Sequence, residues 1–155
     1  MADVNDYTSG KILEDVKLTN YSINLVKIPV LGLLIRKNLL KGIVKFEPRV
    51  INIDLAASLI QDFDKCAVGE RVCRAINKCS EFTESIFLDE LADGMTSVGK
   101  CQYIEKADAI HILKKYPKNP LILAKVSNKY MEICRSAPDD CIFFKMERCK
   151  IKCLK

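Results

Sequence analysis

Apolar positions recur at helical spacing through most of the chain. From Arg36 onward, Leu39, Leu40, Ile43 and Val44 share one side of a helical wheel while Lys37, Asn38, Lys41 and Lys45 take the other, the signature of an amphipathic helix. Pro29 suits its first position and Glu47-Pro48 ends it. Asn52 or Asp54 caps a second helix through Leu55, Leu59, Ile60 and Phe63, reaching Cys66. Glu70 to Cys79 reads as another helical stretch, carrying Val72, Cys73 and Ile76. Ser80 or Thr83 opens the next, with Ile86, Phe87, Leu91 and Met95 at helical spacing and Gly99 as its stop. Cys101 to Ile104 is a short connector, and Glu105 to Tyr116 is a helix ended by Pro117. The pair Asn119-Pro120 fits an N-cap and first turn, starting a helix through Leu121, Leu123, Val126 and Tyr130 to Cys134.

Beyond Pro138 the period changes. Cys149, Ile151 and Cys153 alternate with Lys150 and Lys152, which predicts a half-buried strand, with Cys141-Ile-Phe-Phe144 as its antiparallel neighbour. The expected fold is therefore mainly α with a small C-terminal antiparallel β element (α+β). At 155 residues it fits one compact cysteine-rich domain, spanning 21–155 and ending in a β-hairpin. Residues 1–20 are polar and mixed, and predict a flexible N-terminal arm.

Composition sharpens this picture at one point. There are eight cysteines, one histidine and no tryptophan. The N-terminus, Met1-Ala2-Asp3-Val4-Asn5-Asp6, is acidic where a secretory signal is basic, so the expected compartment is the cytoplasm, in places peripheral to the membrane. In a reducing compartment, cysteines in number point to metal or redox chemistry rather than disulfides. Two spacings match: Cys66 to Cys73 and Cys134 to Cys141 are both C-x6-C, with Gly69 inside the first and Pro138 inside the second. A turn at either breaker brings its pair together. Four such thiolates, Cys66, Cys73, Cys134 and Cys141, suit an iron–sulfur cluster, [4Fe–4S] or [2Fe–2S]. Arg71, Arg74 and Arg135 supply nearby positive charge. Cys149 and Cys153 are the second choice, replacing Cys134 or forming a further site with Cys79 and Cys101. Zinc is the alternative metal, although only Cys149 to Cys153 has the tight spacing of a zinc knuckle.

The segment Glu132-Ile-Cys-Arg-Ser-Ala-Pro-Asp-Asp-Cys-Ile-Phe-Phe144 resembles the Cys-turn-Cys-strand tail of 4-vinyl-reductase-type ligand-binding domains. The likeness rests on two cysteines and a following apolar stretch, and it carries no function across.

The net charge of +5 is unevenly spread. Lys11 to Val50 holds eight Lys or Arg against three acidic residues, and the tail from Lys145 is basic, while Glu81 to Asp108 is mostly acidic. This suits docking to an acidic surface on a larger redox protein, or to a membrane surface through residues 29–46. No aromatic residues interleave the basic tail, and no nucleic-acid motif occurs. No phosphate-binding loop or nucleophile elbow is present. His111 and the cluster Asp89-Glu90-Asp93 read as ordinary surface groups. The expected function is a small iron–sulfur protein that passes electrons to, or helps assemble or activate, a larger redox enzyme. Its rival is a cluster-free helical interaction module with structural zinc or buried thiols.

Overall fold

The computed structural model describes residues 2–76 and 83–155. Its elements are α1 (Val4–Thr8), α2 (Lys11–Leu25), α3 (Leu31–Ile43), a 3-10 turn (Val44–Phe46), β1 (Arg49–Ile51), α4 (Ile53–Asp62) and β2 (Cys66–Glu70). A second 3-10 turn (Val72–Ala75), β3 (Glu84–Leu88), α5 (Asp89–Ser97), β4 (Cys101–Tyr103) and α6 (Lys106–Lys114) follow. The chain ends with β5 (Leu121–Val126), β6 (Lys129–Arg135) and α7 (Ile142–Arg148). The six strands form one antiparallel sheet in the order β1-β5-β6-β3-β2-β4. The expectation of a mainly helical chain with a small C-terminal β element is thereby overturned, because the strands run from residue 49 to residue 135.

Each correction has a local cause. Leu121 to Ala124 is buried without a break. Such a run fits a sheet centre as well as a buried helix, and periodicity alone does not separate the two. Ser127 and Asn128 decide it: their left-handed backbone angles (φ 49° and 67°) make the two-residue turn that folds β6 back on β5. Ile86, Phe87 and Leu88 likewise belong to β3, and the helix begins only at Asp89, itself at positive φ. At the C-terminus the expected hairpin is absent. Cys141 stands at the N-cap position of α7, whose Ile142 and Met146 share one buried face. The tail after α7 runs without a strand of its own, and Lys155 exchanges backbone hydrogen bonds with Pro48 and Val50 at the sheet edge. Residues 4–8 and 11–20 of the expected flexible arm are helical, with Tyr7 and Ile12 buried. Ser80, offered as a helix cap, lies outside the described residues.

Because every neighbouring pair is antiparallel, β1 and β2 point the same way, as do β3 and β4, and β4 and β5. The connections through α4, α5 and α6 are therefore crossovers. Right-handed crossovers put α4 and α6 on one face and α5 on the other. The packing agrees: α4 lies against α6, and α5 against α1. Strand alternation then sorts the side chains. Ser85, Phe87, Ile122, Ala124, Glu132 and Cys134 face the α5 side, while Cys66, Ile86, Leu88, Leu123 and Ile133 face α4 and α6. A smaller apolar cluster joins α2 and α3 to α7 through Ile23, Val26, Ile43 and Met146.

Candidate functional site

Three thiols meet on the α5 side of the sheet. Cys134 projects from β6, Cys141 stands at the N-cap of α7, and Cys73 lies in the 3-10 turn after β2. Together with Arg71, Glu132 and Ser136 they line a cavity of about 70 Å³. Pro138 does what its position in the sequence promised: the backbone turns at Ala137, whose carbonyl accepts from Cys141 N at 2.8 Å. Gly69 does not. It sits inside β2, where the lack of a side chain lets β4 approach; a Cβ there would stand 2.2 Å from Cys101 Sγ. Cys66 consequently stays at the start of β2, on the other face of the sheet, with its thiol donating to Ile104 O at 3.1 Å. The structure thus brings together Cys73, Cys134 and Cys141 and leaves Cys66 apart from them. Cys153 packs beside α7, within electrostatic range of Cys141, and Cys149 ends that helix. Cys101 lies in β4, and Cys79 is outside the described residues. Among the described residues, no three His, Cys, Asp or Glu side chains are already arranged to hold one metal ion.

The electrostatics follow from burial. Glu132 accepts from Tyr7 Oη at 2.6 Å and from Ser85 Oγ at 3.3 Å. Desolvation raises its pKa, against the pull of those two donors and of the Arg71 charge. Burial holds the Tyr7 hydroxyl well above its usual range, with Glu132 adding to it. Burial also pushes Cys134 well up, helped by Glu132 and the neighbouring thiols, and raises Cys73 to about 11. Arg71, itself buried, opposes both shifts. At neutral pH these two thiols are therefore protonated, and a soft cation that entered would displace their protons. Ser136 Oγ is fully buried and has no hydrogen-bond partner among the described residues.

Glu132→Gln isolates the carboxyl. A carboxyl whose pKa is raised on folding holds its proton longer in the native state, so stability falls as pH climbs from the ordinary Glu value to the raised one. Glutamine keeps an acceptor for Tyr7 and has nothing to titrate. The variant should lose that slope and equal or exceed the wild type in Tm at pH 7. Parallel Tm–pH curves from pH 4 to 8 would refute the assignment.

Glu132 and Tyr7 were not singled out from the sequence. Glu132 lies two residues before Cys134, the strand spacing that puts both on one face, but that signal needs β6 to be read as a strand. Tyr7 sits in the polar, mixed N-terminal segment, and nothing local marks it. His111 is exposed on α6. Asp89 accepts from the backbone N–H of Asp64 and Lys65, and Asp93 pairs with Lys65 and Tyr103, so this acidic cluster serves the fold. No helix among the described residues is long and apolar enough to cross a membrane. Comparison with protein-family models, with curated proteins and with solved structures finds no match, and the functional reading therefore rests on the cavity and its thiols.

Proposed function

We propose that the protein binds a soft metal centre, an iron–sulfur cluster in the first instance and zinc in the second, on the thiolates of Cys73, Cys134 and Cys141. One observation carries this reading: three cysteines from separate chain segments line the same small cavity beside a buried guanidinium. Soft thiolates are the usual holders of such centres, and Arg71 offsets the negative charge that metal binding creates. The cavity is also small. Its 70 Å³ falls far below the roughly 300–1,000 Å³ of ordinary organic ligand sites, which favours a compact inorganic group. Binding requires the 3-10 turn and the start of α7 to draw in toward β6, with Glu132 in the same lining as a further donor. A centre buried in this way, with no nucleophile or cofactor motif beside it, suits electron transfer to, or assembly or activation of, a larger redox enzyme.

The test is anaerobic purification with iron, zinc and acid-labile sulfide analysis on three proteins: wild type, Cys134→Ser and Cys66→Ser. Metal in the wild type and in Cys66→Ser, lost in Cys134→Ser, is the expected result. A metal-free wild type, or equal loss from both variants, refutes it. A second reading has its own support. The cavity lining is almost wholly apolar apart from Glu132, Arg71 and the unpartnered Ser136 hydroxyl, which suits a small apolar molecule with one polar group. Native mass spectrometry of metal-free protein, showing a retained organic adduct, would favour it.

A further inference from the structure

The outer face of α3 is built in a way the interior does not explain. Its inner side is occupied: Ile35, Leu39 and Ile43 pack in the cluster with Ile23, Val26 and Met146. The opposite side carries Leu33 and Leu34, 71% and 62% exposed, and Leu40 and Val44 are exposed as well rather than packed beside Leu39 and Ile43 as the helical wheel predicts. At helical spacing Lys37 and Lys41 fall on this same side, between the leucines. The preceding turn adds Val30, 79% exposed and held at φ 63°, a conformation that β-branched residues rarely adopt.

Charge identifies what would cover this face. From Val16 to Phe46 the chain has Lys17, Lys27, Arg36, Lys37, Lys41 and Lys45 and no Asp or Glu. None of the ion pairs among the described residues uses Lys27, Lys37 or Lys41. A second copy of the chain fits poorly, since a two-fold contact would place the same lysines against themselves. An anionic bilayer surface fits both features at once. Its headgroups take the lysines, and its interfacial zone accepts aliphatic side chains scattered along one convex helix. We infer that α3 docks the protein peripherally on an anionic membrane, with Leu33 and Leu34 entering the headgroup–acyl boundary and Lys37 and Lys41 pairing with lipid phosphates or carboxylates.

Vesicle co-sedimentation tests this on the full chain, using phosphatidylcholine alone and phosphatidylcholine with about 30% phosphatidylserine, which brings in the anionic surface potential. Binding should be confined to the anionic vesicles and should fall steeply in ~0.5 M NaCl. Lys37→Glu/Lys41→Glu should lower partitioning about ten-fold or more, and Leu33→Ser/Leu34→Ser should abolish it at moderate salt. Both variants change exposed positions only, and an unchanged Tm shows that each is folded. The inference is overturned if the wild type ignores anionic vesicles or binds neutral vesicles equally. It is also overturned if the lysine variant binds undiminished, or if sedimentation shows a dimer that either variant dissociates.

Discussion

Arg135→Ala should lower the free energy of unfolding by about 3 kcal/mol, a large share of the margin a domain of this size holds. Arg135 ends β6 on the face covered by α4 and α6, and it is buried. Its Nε donates to Leu113 O at 2.6 Å and its Nη1 to Asn119 O. Leu113 lies in the last turn of α6, where carbonyls have no partner within the helix. Asn119 lies in the connector that brings the chain back to β5, and its own side chain donates to Ser136 O. One guanidinium thus ties the end of a helix and the following loop to the sheet. Alanine would leave these acceptors without their charged donor inside the protein. Lysine, a point charge without the planar fork, should recover only part of the loss. In urea the alanine variant's midpoint should drop by about 1–2 M, while Lys118→Ala, an exposed change in the same connector, should shift ΔG by no more than about 0.5 kcal/mol. A shift for Arg135→Ala as small as that of the control would mean that water satisfies those carbonyls.

What the sequence made legible follows from how local each signal is. Asn52 caps α4 as expected, its side chain accepting from Leu55 N at 2.8 Å, and Pro117 and Gly99 mark helix ends that the structure respects. These signals involve neighbours within four residues. The sheet was hidden because its central strands are buried on both faces, so Leu121 to Ala124 and Ile86 to Leu88 show no alternation to separate them from a buried helix. The alternation that was visible, Cys149 to Cys153, belongs to a segment that folds back on the end of α7, where Ile151 N donates to Met146 O and Cys153 N to Glu147 Oε1, and only Lys155 beyond it reaches the edge of β1. The site was half legible for the same reason. Cys134 and Cys141 converge through Pro138, a local turn. The matched pair Cys66 and Cys73 looked equivalent, but Gly69 serves strand pairing there, and the thiol of Cys66 is carried to the far face. Glu132 and Tyr7 meet across 125 residues, a contact that only the assembled sheet creates.

Arg71→Met should cost the proposed metal centre about 10- to 100-fold in affinity at fixed pH, with a much smaller effect on the fold. Arg71 is buried, and its Nη1 donates to Arg135 O at 2.8 Å. Losing that bond costs stability, but an apolar side chain of similar length no longer has a charge to bury, so the net change should stay within about 2 kcal/mol. The thiols feel the loss more. Burial already raises Cys73 to about 11 and Cys134 well above its usual range, and the guanidinium is what pulls both back. Without it each thiol ionises at still higher pH, and every further unit reduces the thiolate fraction ten-fold. Metal uptake, which needs thiolates, should therefore move to higher pH, and alkylation of Cys73 should move with it. Arg71→Lys keeps the charge and should fall between the two. Arg71 and Arg135 are both buried arginines joined by one hydrogen bond, yet Arg135 faces the helices and should report on stability, while Arg71 faces the thiols and should report on their chemistry. If Arg71→Met left the alkylation profile and metal content unchanged and lowered only Tm, Arg71 would be a structural residue like its neighbour, and the cavity would lose its electrostatic case for holding a metal.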